Sequence, residues 1–196
     1  RKSVKLGAFC TALMLICWSA VYNFALAFGG SAKIVVIPKG NAVQAVLYDK
    51  TKGMVFDIGS KGKLNSSVES FLELYGIKEL KGVFISGEQY YTITKYNEQM
   101  TIQPDRFYIN GEPDNDSELP FVTGAQLDWS GVKIEALEGG YKITAEGCVV
   151  TLEKGYVTIN GRSLDTTDEE YPLMIDMKNS QIRRTDYGFA YGFGSW

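Results

Sequence analysis

Residues Lys52 to Thr92 read K-G-M-V-F-D-I-G-S, then S-S-V-E-S-F-L-E-L-Y-G-I, then K-G-V-F-I-S-G-E-Q-Y-Y-T, with short polar links between them. The first run is β-branched and aromatic and ends at Asp57 and Gly59. In the second, Val68, Phe71, Leu72 and Tyr75 recur at three- and four-residue spacing, which gives a helix one apolar face. Gly76 stops that helix, and Val83 to Ile85 begin another strand. The spacing therefore predicts a β-α-β unit with its two strands parallel. In such units ligands sit just past the strand ends. Asp57 to Lys61 and Ser86 to Thr92 are the segments to read for function.

Outward from this unit, Lys33 to Ile37 and Ala42 to Tyr48 read as strands joined by the turn Pro38-Lys39-Gly40-Asn41. Lys50 to Gly53 turns into the strand Met54 to Ile58. Ile93 to Met100 reads as a short helix closed by Pro104, and Arg106 to Ile109 as a strand. Gly111 to Pro120 is the most polar stretch and reads as a surface loop. Lys133 to Leu137, Tyr141 to Ala145, Cys148 to Glu153 and Tyr156 to Asn160 form a run of hairpins joined by G-G, E-G and K-G turns. Tyr171 to Met177 and Gln181 to Arg184 read as one more strand pair before a Gly-rich aromatic tail.

At 196 residues the chain has room for one cored domain. Its first residue, Arg1, is expected of a piece of a longer product. Leu6 to Phe28 holds no charge, and as a helix it would be roughly 34 Å long, enough for a hydrocarbon core. Arg1, Lys2 and Lys5 precede it, so the positive-inside tendency places them in the cytoplasm and the rest outside. The competing reading is a cleaved signal peptide, for which A-L-A-F-G-G-S-A offers small residues. The fold expected is α+β: an N-terminal transmembrane helix (1–28) followed by a β-rich half-domain (29–162) whose mixed sheet carries one or two helices. A strand pair and aromatic tail (163–196) end the chain.

A net charge of -3 argues against broad nucleic-acid affinity. The chain contains no histidine, which removes imidazole metal ligands and the commonest general base. Cys10 and Cys17 would lie about 10 Å apart along a helix, too far to bridge. Cys148 reads as a buried small apolar residue.

The order of elements resembles the first half of a metallo-β-lactamase-type domain. More narrowly, it is similar to the extracytoplasmic domain of DNA-internalisation competence proteins of the ComEC type. The resemblance is carried by V-V-I-P-K-G-N-A-V, by Val55-Phe56-Asp57-Ile58-Gly59, and by Leu80 to Ile85 leading into the metal motif. Gly124 to Leu127 with Val132 to Glu135, and Cys148 to Leu152, extend it, so that it covers about Lys33 to Arg162.

At the metal motif the match fails. The ligand positions hold Gly87, Gln89, Tyr91 and Thr92, and the acidic bridging position falls at Asn160 and Gly161. Zinc hydrolysis needs several imidazoles and a carboxylate, so no enzyme activity, no metal and no cofactor are expected. Asp57 is the family-like residue that remains, expected to cap a turn. Asp57 with Glu88 is the only carboxylate pair for a residual hydrolase. Asp114, Asp116 and Glu118 lack the spacing of a calcium loop. Candidate nucleic-acid contacts are Tyr90, Lys95, Arg183 and Arg184, with Tyr96, Tyr187, Phe189 and Tyr191 nearby in sequence.

The resemblance implies a non-catalytic, membrane-tethered extracytoplasmic domain in competence, that is, DNA uptake for transformation. Its partners would be the lipid bilayer, DNA or other subunits of an uptake machine, with no small-molecule substrate. The alternative is a single-pass protein-interaction module unrelated to DNA uptake. The adjacent Tyr90 and Tyr91 are expected to fill the former metal site, one of them donating to Asp57.

Overall fold

Long apolar runs in residues 33–58 and 79–86 can be buried on both faces, and they build the centre of the molecule. The computed structural model describes residues 32–60, 64–86, 97–111, 121–123, 126–145, 147–169 and 171–184. Strands β1 (Lys33–Lys39), β2 (Ala42–Asp49) and β3 (Lys52–Ile58) form an antiparallel meander. Helix α1 (Ser66–Leu74) then returns the chain to β4 (Glu79–Ser86), which pairs parallel with β3. Strands β5 (Phe107–Asn110) and β6 (Phe121–Thr123) add in parallel beyond β4.

A second sheet follows: β7 (Gln126–Trp129), β8 (Val132–Leu137), β9 (Gly140–Ala145), β10 (Cys148–Glu153), β11 (Tyr156–Ile159) and β12 (Arg162–Asp165). The chain then rejoins the first sheet through β13 (Leu173–Asp176), antiparallel to β1, and β14 (Gln181–Arg184) at its edge. The first sheet has the order β14-β13-β1-β2-β3-β4-β5-β6, and the second is the sequential meander β12 to β7.

Two cores make three layers. Between the sheets, Ile34, Val36, Leu47, Phe56 and Phe84 meet Ile134, Tyr141, Ile143, Val150, Leu152 and Val157. On the other face of the first sheet, Val35, Val46, Val55, Val83 and Ile85 pack with Val68, Phe71 and Leu72 of α1. The helix begins because the Asn65 side chain accepts from Ser67 N at 3.0 Å, a standard N-cap bond. It ends because Gly76 adopts φ +63°. Gly76 N then reaches Glu73 O at 3.1 Å and Ile77 N reaches Leu72 O at 2.9 Å. That pair of bonds is a Schellman stop, and it places Ile77 in the core beside Leu72.

The fold class expected from the sequence needs correction. Among the described residues, fourteen strands in two sheets accompany one helix of nine residues and a short helical turn at 97–99, so the fold is mostly β. The excess of strand comes chiefly from 126–165, where two-residue turns fold the chain into a second full sheet. No helix among the described residues is long and apolar enough to cross a membrane. Residues 1–28, on which the transmembrane expectation rests, lie outside the described residues. So do 93–96, the first half of the short helix expected at Ile93 to Met100.

Candidate functional site

The parallel strands β3, β4 and β5 finish at one end of the first sheet, with Asp57 opposite Ile85, Ile58 opposite Ser86, and Ser86 opposite Asn110. Gln44, Asp57 and Ser86 are fully buried there. Strand alternation divides them. Asp57 and its neighbour Gln44 follow Val55 and Val46 on the helix side, whereas Ser86 and Asn110 follow Phe84 and Tyr108 on the side of the second sheet.

On the helix side, the Asp57 carboxylate accepts from the Ser60 backbone N at 3.3 Å and from the Ser60 hydroxyl. This closes the turn that leaves β3. Gly59 makes the turn feasible, since its φ is +80°, a conformation that strains side-chain-bearing residues. Gly59 N donates to Ser86 O at 3.0 Å, tying the β3 exit to the end of β4. Gln44 accepts from Asn65 N at 2.8 Å, so the cap residue of α1 is itself held to β2.

On the sheet side, the Asn110 amide donates to Gly140 O at 3.0 Å, to Leu137 O, and more weakly to Ser86 Oγ at 3.5 Å. The Tyr141 hydroxyl donates to Ile85 O at 2.9 Å and to Tyr108 O at 3.4 Å. The β8–β9 turn is thereby bonded onto the ends of β4 and β5. The β10–β11 turn closes on β3: a Cβ at Gly59 would lie 3.4 Å from Lys154 Cγ. These contacts use the polar groups to join layers. Asp57 itself has no solvent exposure, and its carboxylate holds the turn that leaves β3.

The residues named from the sequence are only partly brought together here. Asp57 is at the strand ends. Gly87, Glu88, Gln89, Tyr90, Tyr91, Thr92, Lys95 and Tyr96 lie outside the described residues, and with them the expected tyrosine beside Asp57. Asp114, Asp116, Glu118, Tyr187, Phe189 and Tyr191 lie outside them too. Arg183 and Arg184 are exposed on β14, four strands from β3, roughly 19 Å away across the sheet. As sequential residues of a strand they point to opposite faces, and Arg184 pairs with Glu169 at 2.9 Å.

Asn160 and Gly161, expected at the position of a metal-bridging acid, form the β11–β12 turn. The β10–β11 turn already lies at Gly59, so the next turn falls at the opposite end of the sheets. That expectation is corrected by the length of one strand. Gln44, Asn110 and Tyr141 were missed. Gln44 could have been found as the only polar residue in A-V-Q-A-V-L, since a buried strand tolerates one only when it is bonded.

No protein-family model matches this chain, and no curated protein matches it.

Proposed function

We propose that this chain is a non-catalytic binding and assembly domain related to the metallo-β-lactamase-type domain of ComEC-type DNA-uptake proteins. The observation that carries the reading is the closed state of the strand ends. Asp57 is fully buried and accepts from Ser60, while the Asn110 amide is bonded to the β8–β9 turn. The absence of histidine from the sequence supports the same reading. The kinship rests on V-V-I-P-K-G-N-A-V, which spans the β1–β2 hairpin, on V-F-D-I-G at the end of β3, and on L-K-G-V-F-I in β4.

The test is binding of a fluorescent single-stranded oligonucleotide to the full chain, by anisotropy, at low and physiological salt. Binding that weakens with salt and with Arg183→Glu is the expected result, because phosphate contacts are electrostatic. No binding at low salt would sink the DNA part of the proposal. A second reading, a protein-interaction module unrelated to DNA uptake, is favoured by the Arg184–Glu169 ion pair, which neutralises half of the basic pair on β14.

A further inference from the structure

At the end of the sheets away from Asp57, one exposed amide joins three turns. Asn160 and Gly161 form the two-residue turn between β11 and β12, with φ +49° and +81°. Positive φ at both positions is the hairpin geometry that Asn-Gly favours. Asn160 Oδ1 accepts from Val149 N at 2.7 Å, and Asn160 N donates to Val149 O at 2.8 Å. Asn160 Nδ2 donates to Ser180 Oγ at 3.0 Å and to Gly147 O at 3.5 Å. Ser180 Oγ also reaches Gly147 O at 3.4 Å. Gly147 and Val149 lie at the β9–β10 turn of the second sheet, whereas Ser180 lies in the β13–β14 turn of the first. The side chain is therefore a polar clasp between the two sheets.

The same residue begins an Asn-Gly step, in which no side chain hinders the following backbone nitrogen. We propose that Asn160 is a deamidation site gated by its own clasp, and that its conversion detaches the β13–β14 turn from the second sheet irreversibly. Gly161 N, losing its proton to water or base, attacks Asn160 Cγ, and Nδ2 leaves as ammonia, giving a succinimide. Water then opens the ring at either carbonyl, yielding aspartate or isoaspartate. The net change is amide plus water to carboxylic acid plus ammonia, with no oxidation.

While the clasp is closed, Oδ1 and Nδ2 are held toward Val149 and Ser180, so Cγ cannot turn to Gly161 N. The reaction thus proceeds only from the open clasp, a local opening of the kind that exchange experiments detect. Isoaspartate adds a backbone carbon to a two-residue turn whose register, Ile159 with Arg162, leaves no room for one. It also removes the Nδ2 donor that held Ser180 and Gly147.

The experiment is incubation of the full chain at mildly alkaline pH in oxygen-18 water, followed by peptide mapping. Residue 160 should deamidate at least roughly tenfold more slowly in the native protein than in urea, because the clasp opens rarely. Ser180→Ala should speed the native reaction roughly fivefold, the effect of losing one ordinary hydrogen bond. The rate at Asn110, whose amide is held by Leu137 and Gly140, should not respond to that variant. Hydrogen exchange at 181–184 should rise in the aged protein. Equal rates in native buffer and urea, an unresponsive Ser180→Ala, or unchanged exchange at 181–184 would each overturn the proposal.

Discussion

The two sheets solve the burial problem differently. Strands β1 to β4 are close to continuous apolar runs, and their central residues are buried on both faces. In the second sheet β8, β10 and β11 alternate: Val132 and Ile134, Val150 and Leu152, and Val157 and Ile159 face in. Its other face carries Lys133, Glu135 and Lys142, with Glu135 ion-paired to both lysines, and the register row Ser163, Thr158, Thr151. A sheet apolar on both faces has to be covered twice, whereas an alternating one needs a single cover. A polar side chain in the first sheet must find its partners inside the protein. One on the outer face of the second has water.

That contrast is broken most directly by truncating one aromatic in each sheet. Phe56 is fully buried, stacked on Phe84 at 4.7 Å and edge-on to Tyr141 at 5.7 Å. Phe56→Ala should destabilise by about 3–5 kcal/mol in urea titration, from lost transfer energy and the cavity left behind. Tyr156, on the outer face of β11, is 47 % exposed, and Tyr156→Ala should cost less than about 1 kcal/mol. Comparable losses would mean that the outer face of the second sheet is covered in solution.

A pair of serines sharpens the same point for polar groups. Ser60→Ala removes a donor from the buried Asp57 carboxylate and should cost about 1–3 kcal/mol, the penalty for a buried acceptor left short of a partner. Ser163→Ala, on the exposed edge strand β12, should stay within about 0.5 kcal/mol. A neutral Ser60→Ala would mean that the other interactions of Asp57 suffice, and that the turn after β3 is held elsewhere.

Local signals made much of this legible. The β3-α1-β4 unit was readable because its strand runs, helix spacing and Gly76 stop agree with one another. The hairpins of the second sheet were readable because glycine-containing turns such as Lys154-Gly155 punctuate alternating strands. Strand β12, R-S-L-D, escaped because Leu164 is its only apolar residue. The pairing of β1 with β13 sets Lys33 against Asp176, and nothing near either residue announces so distant a partner. The site was least legible for the same reason. Asp57 stands out in sequence, but its separation from Ser86 by the plane of the sheet follows from register, and Tyr141 reaches Ile85 only across the layer interface. Residues carried over by resemblance, such as Asn160, were misplaced because a hairpin sequence does not say at which end of the sheet its turn will lie.

The smallest effect is expected in the slope of stability against pH. Tyr48 lies on the helix side of β2, 7 % exposed, edge-on to Phe71 at 5.2 Å and to Tyr75 at 5.5 Å. Burial raises its phenol above the ordinary tyrosine value, and Tyr75 and Asp176 push it further in the same direction. A raised value means that the folded state holds the proton more tightly than the unfolded chain does. The stabilisation is therefore fully present below the unfolded value of 10.0 and is lost as pH rises above it toward the folded one. Urea midpoints taken from about pH 8 to about pH 11 should fall more steeply for the native chain than for Tyr48→Phe, which keeps the ring and cannot ionise. The lysines titrate in both proteins, so the difference between the two slopes isolates Tyr48. Parallel slopes would show that the phenol reaches water in the folded state. The helix-side layer of the first sheet would then be more open at Tyr48 than its neighbours Phe71 and Val46 imply.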